Sequence, residues 1–112
     1  MKMKVNEIID RLNLKLLSGT NGLSKEVNDV YICDLLSYVM SHASENSLWI
    51  TVQTHINIVA VAELVGISCI VIPENINVDS DTLERAERES IPIVSTSLTS
   101  YHIACRLKEL GI

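Results

Sequence analysis

Residues 48–72 read LWITVQTHINIVAVAELVGISCIVI, and the fold turns on this stretch. Leu48 to Val52 and Cys69 to Ile72 are short runs of large and β-branched apolar residues, the composition of strands. Between them, Ile56 to Val65 is apolar over helical length and stops at Gly66, a residue suited to the left-handed end of a helix. Strand, helix and strand make a βαβ unit, whose strands lie parallel with a right-handed crossover when they share a sheet.

Downstream the pattern repeats. Pro73 halts the strand, and Asp79 or Ser80 can cap a helix that turns Leu83 and Ala86 inward. Ile91-Pro92-Ile93-Val94 reads as the last strand, with Pro92 near its start or on an edge. Ser97 or Thr99 can cap a closing helix buried along Ile103, Ala104, Leu107 and Leu110. Upstream the signals are shorter. Val5, Ile8, Ile9 and Leu12 place a helix over Lys4 to Leu12, broken at Asn13. Leu14 to Leu17 is a short strand ended by the turn cluster Ser18 to Gly22, and Val27 to Ile32 is a second strand. Asp34 then caps a short helix with Leu35, Leu36, Val39 and Met40 as apolar positions. The strands are continuously apolar, as expected when helices cover both faces of a mainly parallel sheet. The expectation is one α/β domain over residues 1–112.

Composition agrees. A chain of 112 residues has room for one core, and 47% apolar with 21% charged residues is globular in character. Trp49 and three tyrosines are the whole aromatic set, so Ile, Val, Leu and Ala must build the core. The net charge of −5 is interspersed, and residues 84–89 alternate in sign along a solvated helix face. No basic stripe is present to displace counterions from phosphates, which argues against nucleic acid as a partner. The run Ile56 to Ile72 is broken by Glu63, Gly66 and Ser68, which argues against a membrane span. No apolar segment of signal-peptide type follows Met1 to Lys4. Cys33, Cys69 and Cys105 form no disulfide framework, so free thiols and a cytoplasmic location are expected, with Cys69 in the core.

The helix Ile56 to Val65 has only Asn57 and Glu63 as polar residues. Either it is wedged between neighbours in its own chain, or its second face is buried in a homodimer interface. On the second reading Ile56, Ala60, Val61 and Leu64 are the interface residues.

Chemistry is sparse. Gly19, Gly22, Gly66 and Gly111 lie outside the strand-to-helix turns of the regular half, so no P-loop or dinucleotide cradle is formed. The histidines at 42, 55 and 102 and the cysteines lack metal-ligand spacing, although His102 and Cys105 are one helical turn apart. Cys33 beside Asp34 and the run Ser95-Thr96-Ser97 lack a positioned base. No catalytic residue, metal or cofactor is assigned.

One constellation remains. Parallel strands end on one rim, where ligands bind in α/β sheets. Gln53, Thr54, His55 and Asn57 follow the first regular strand, Pro73, Glu74 and Asn75 the second, and Ser95, Thr96 and Ser97 end the third. These residues either cap helices or form a small-molecule site built from Gln53, Thr54, His55, Asn57, Glu74, Ser95 and Thr96. Glu74 favours a neutral or zwitterionic ligand over a bare phosphate. The leading functional expectation is a non-catalytic regulatory, self-associating module that senses such a ligand. The rivals are a small enzyme with His55 as base and Glu74 as its partner, and a scaffold docked on a larger enzyme.

The residues Asp34-Leu35-Leu36-Ser37, Trp49-Ile50-Thr51, Ile58 to Leu64, Ile70-Val71-Ile72 and Ile91 to Thr96 resemble the DRTGG domain, which is similar to the N-terminal domain of HPr kinase/phosphorylase. The resemblance covers nearly the whole chain, most closely Leu48 to Leu107. It implies a three-layer Rossmann-like fold like that HPr kinase domain, an accessory regulatory role and a tendency to associate. It does not imply kinase activity, since the P-loop catalytic domain is not in this sequence. Gln53-Thr54-His55 stand where the name-giving Asp-Arg falls, and Ile72-Pro73-Glu74 where its Thr-Gly-Gly falls.

Overall fold

The computed structural model describes residues 3–112. In chain order the elements are β1 (Met3–Lys4), α1 (Val5–Leu12), β2 (Lys15–Ser18), a 3-10 turn (Thr20–Gly22), β3 (Glu26–Val27), β4 (Asp29–Ile32) and α2 (Leu36–His42). Then come β5 (Ser47–Ile50), α3 (Asn57–Val65), β6 (Cys69–Ile72), α4 (Ser80–Arg88), β7 (Ile93–Ser95) and α5 (Ser100–Glu109). The main sheet has the order β2-β7-β6-β5-β4. Its four strands β4 to β7 are parallel, and β2 joins β7 antiparallel. β1 and β3 form a separate two-stranded antiparallel ribbon.

The continuous apolar strands serve two cores. Leu48, Ile50, Cys69, Val71 and Val94 point to one face, where Val5, Ile8 and Leu12 of α1 and Ile103 and Leu107 of α5 cover them. Trp49, Ile70, Ile72 and Ile93 point to the other, beneath Val39 of α2, Ile58 and Ala62 of α3, and Ala86 of α4. Strand geometry sends alternate residues to opposite faces, and here both faces are covered. This is the expected three-layer α/β architecture. The indole N–H of buried Trp49 donates to Cys33 O at 2.8 Å, which ties the end of β4 to β5. Cys69 is buried, and burial pushes its thiol up to about 12, an inert core thiol as expected.

Several local expectations are corrected. The strand expected over Val27 to Ile32 divides at Asn28. Val27 pairs with Met3, and the Asn28 N–H donates to Asn46 O. Asp34 does not cap α2. Its Oδ1 accepts from Thr51 Oγ1 and Val52 N, both at 2.9 Å, and so clamps the β4–α2 loop to the residues after β5. Of the apolar positions expected inside α2, Val39 is fully buried, while Leu35 and Met40 are exposed. β5 ends at Ile50, and beyond it Thr51 Oγ1 accepts the Gln53 N–H at 3.2 Å. β7 starts at Ile93, after buried Ile91 and Pro92. Thr99 caps α5 by accepting the His102 N–H, and Asp79 precedes α4 without a side-chain cap bond.

Helix α3 sits between α2 and α4. Val61, expected in an interface, is 5% exposed and belongs to the chain's own core. Ala60 and Leu64 face solvent, Leu64 at 73% exposure, and Ile56 is half-buried.

The segment after β2 lies against the turn that precedes β7. Lys25 Nζ donates to Ser90 O at 2.7 Å, and Glu87 Oε1 accepts from Gly19 N at 2.9 Å. Thr20 adds its own N–H and hydroxyl to the Glu87 carboxylate. Those bonds, led by the one from Gly19, hold the Glu87 carboxyl below its ordinary value. A depressed carboxyl contributes stability above its unfolded value and loses it as pH falls through the folded one. Glu87→Gln is therefore expected to flatten the acid limb of thermal stability below about pH 5, where an unfolded glutamate begins to protonate. Melting curves at several pH values check this, and an unchanged acid limb would count against it.

At the open edge of the sheet, Asp29 Oδ1 accepts the Val30 N–H at 2.8 Å.

Candidate functional site

Parallel strands deliver their carboxyl ends to one rim, and all seven expected ligand residues lie on it. They separate into two groups. In the first, Gln53 Nε2 donates to Asp34 O at 2.9 Å and Thr54 Oγ1 to Asp79 Oδ1 at 3.4 Å. Thr54 O also accepts from the buried Thr82 hydroxyl at 2.7 Å, which links this loop to α4. His55 Nδ1 accepts the Asn57 N–H at 3.2 Å, so the imidazole serves as a cap on α3, and the Asn57 side chain is exposed.

In the second group, Glu74, Ser95 and Thr96 lie with Leu98. The Glu74 N–H donates to Leu98 O at 3.0 Å and the Asn75 N–H to Thr96 O at 2.9 Å. Thr96 Oγ1 accepts the Leu98 N–H at 3.2 Å. No hydrogen bond or ion pair joins His55 to Glu74 among the described residues, so the acid–base dyad is not assembled. Several of these residues thus close turns and helix starts.

The turn Pro73 to Ile76 carries two consecutive non-glycine residues at positive φ, Glu74 at 57° and Asn75 at 54°, and is closed by Ile76 N to Pro73 O at 3.3 Å. This is type I′ geometry, in which glycine and asparagine are favoured and glutamate is not. Left-handed backbone costs a residue with a Cβ about 1–2 kcal/mol. Glu74→Gly is expected to raise stability by about 0.5–1 kcal/mol after the added freedom of the unfolded chain is subtracted. A fall in the urea midpoint would show that the Glu74 side chain itself stabilises the turn.

A cavity of about 340 Å³ opens beside this turn. Its polar lining is Lys15, Asn75, Asn77 and Ser95. Leu17, Ile76, Val78 and Leu83 form its apolar wall. Ser95 is the sole member of the expected site that lines it. Lys15 is there because β2 runs antiparallel, so that its first residue pairs with Ser95 and places an ammonium group on the rim. Sequence reading places the strand but not its partner, and no local signal in Lys15-Leu16-Leu17 names β7 as its neighbour. Asn77 and the clamp residues Asp34, Asp79 and Thr82 are likewise visible only in the assembled rim.

A second cavity of about 340 Å³ lies at the amino ends of the strands, lined in part by Lys25, Glu45, Glu63 and Glu89. Its charged groups largely engage one another or the backbone. Arg85 lies 3.3 Å from Glu63 and 3.8 Å from Glu89, and Lys25 is held by Ser90 O. A hydrogen bond with the Glu89 carboxyl, then burial, pushes Glu63 above the ordinary carboxylate value despite Arg85.

Among the described residues no cluster of His, Cys, Asp and Glu can hold a metal ion. Among the described residues no helix is long and apolar enough to cross a membrane.

No curated protein matches this sequence. Among solved structures, the fold is similar to the CBS and DRTGG domains of the regulatory region of Clostridium perfringens pyrophosphatase, complexed with the activator diadenosine tetraphosphate. The TM-score is 0.72 at 14% identity, over 91% of this chain and 44% of that one. This chain thus spans less than half the length of that structure. The model of the DRTGG domain matches residues 7–110, nearly the whole sequence, and the chain belongs to the DRTGG domain family.

Proposed function

We propose that this chain is a non-catalytic regulatory module that self-associates and takes a small ligand at the carboxyl rim of its sheet. Family membership over residues 7–110 carries the reading. The similar fold in the pyrophosphatase regulatory region, complexed there with an activator, supports it. Because this chain covers 44% of that structure, action on a larger partner enzyme fits the same reading. Three free thiols support a reducing, cytoplasmic setting. The outer face of α3 is the self-association surface in this proposal, through Ile56, Ala60 and Leu64. A leucine at 73% exposure on a helix with apolar neighbours favours burial by a second copy.

Sedimentation velocity at micromolar concentration tests the association. Two chains of 12.4 kDa give 24.8 kDa, and a dimer of that mass is expected. Leu64→Asp should return it to the monomer with an unchanged circular dichroism spectrum. A wild-type chain that sediments only as a monomer overturns this part of the proposal. A thermal-shift screen with nucleotides and phosphorylated metabolites tests the ligand part, since a ligand that binds only the folded state raises the melting temperature. The pure chain should transfer no phosphate from ATP to a protein serine, and transfer sensitive to point mutation would overturn the non-catalytic reading.

A further inference from the structure

We infer that the cleft between β2 and the loop from Asn75 to Val78 binds a small organic carboxylate with an aliphatic body. The inference rests on the rim-ligand reading above and assigns it a place and a ligand class. Three observations carry it.

Ser95 is only 9% exposed and no hydrogen bond joins its hydroxyl to another described residue, so the hydroxyl is the part of this side chain left open to the cavity. As residue i+2 from Ile93 it lies on the face of the sheet that also carries Leu17 and Leu83, where the cavity opens. A hydroxyl left open at the end of an otherwise buried side chain is free to bond a ligand in the cavity. Lys15 stands opposite Ser95 across the strand pair and is in no ion pair among the described residues. The Asn75 and Asn77 side-chain amides line the same cavity. One cation, one hydroxyl and two amides are thus open to a ligand at one spot.

The charge and form of that ligand follow from what is missing. A phosphate group is ordinarily cradled by several backbone N–H groups or by more than one cation. Here the N–H groups of Glu74, Asn75 and Ile76 are spent on Leu98 O, Thr96 O and Pro73 O, which leaves only those of Asn77 and Val78 in this loop. The cavity wall contributes one cation, on a chain of net charge −5, so a monoanion is favoured over a dianion. No carboxylate lines the cavity to receive an ammonium group, which disfavours an amino acid zwitterion. Leu17, Ile76, Val78 and Leu83 require an apolar body beside the carboxylate. A cavity of about 340 Å³ lies at the small end of the range of ligand pockets and suits a branched short-chain acid.

Nuclear magnetic resonance titration of the full chain with isovalerate tests this directly. Isovaleramide, leucine and inorganic phosphate serve as comparison probes. Isovalerate is expected to move the backbone amides of Lys15, Asn75 to Val78 and Ser95 saturably, and each comparison probe to bind about tenfold more weakly or less. Lys15→Met and Ser95→Ala, checked for unchanged amide dispersion, should each weaken isovalerate binding several-fold, Lys15→Met the more. Equal responses to isovalerate and isovaleramide, or a stronger response to phosphate, would overturn the ligand class. Shifts centred on Gln53 to Asn57 would overturn the cleft and leave the rim reading intact. Absence of any isovalerate response overturns the cleft, while the nucleotide and metabolite screen decides the rim reading independently.

Discussion

Gly19→Ala is expected to cost this chain about 2–5 kcal/mol, a large share of the stability of a small domain. Two causes add at this residue. Gly19 has φ 84°, where a Cβ alone costs about 1–2 kcal/mol. An ideal Cβ would also sit 2.1 Å from Ile91 O and 2.4 Å from Pro92 N, backbone atoms of the turn that leads into β7. Overpacking against a fixed backbone adds about 1–3 kcal/mol. Two other glycines separate the causes. Gly111 has φ 88° with nothing within 4 Å of its Cβ, so Gly111→Ala should cost the conformational part alone. Gly22 is free of positive φ, but its Cβ would meet Ser90 O at 2.3 Å, so Gly22→Ala should cost the steric part alone. Urea midpoints for the three variants give the comparison. A Gly19→Ala loss no larger than that of Gly111→Ala would show that the turn at Ile91 yields freely.

Val61→Asp is the second severe change. Val61 is packed with Trp49, Ile58 and Ile70 in the core beneath α2, α3 and α4. An unpaired carboxylate there costs several kcal/mol, or is protonated at comparable cost. Loss of the native circular dichroism spectrum and a broad, early denaturant transition are expected. One turn along at the surface, Leu64→Asp should leave the fold intact. If Val61→Asp instead stayed folded and merely dissociated a dimer, Val61 would have to face a partner and α3 would have to rotate.

The contrast between these two residues marks where sequence reading stops. Cys69 to Ile72 is legible to the residue, because four apolar residues between Ser68 and Pro73 admit little else. The stop of α3 at Gly66 is equally plain, and the backbone there is left-handed. The two sides of α3 are not legible, since Ala60, Val61 and Leu64 are all apolar, and only the placement of α2 and α4 decides which is covered. Asp34 is ambiguous for a related reason. A carboxylate before a short helix reads as a cap, but Thr51 and Val52 compete for it from just beyond β5, seventeen and eighteen residues on. The rim follows from parallel topology, yet its cavity depends on β2 joining β7 in the antiparallel sense, a long-range pairing that leaves no periodicity in Lys15 to Ser18. Glu74 and Asn75 in left-handed backbone are similarly a property of the assembled turn.

The small bond from the Val30 N–H to Asp29 Oδ1 bears on the behaviour of this chain in a crowded solution. A bare edge strand is a template on which other chains add, the first step of amyloid-like stacking. β4 is such an edge, and it carries an exposed Ile32. Asp29 satisfies a donor there from within its own strand and sets a carboxylate on the edge. Two copies meeting at β4 would bring like charges together and would have to give up that bond. At the far side, β2 shifts register between Leu16 and Ser18, an irregularity that makes a poor template. Runaway strand addition is thereby discouraged at both margins.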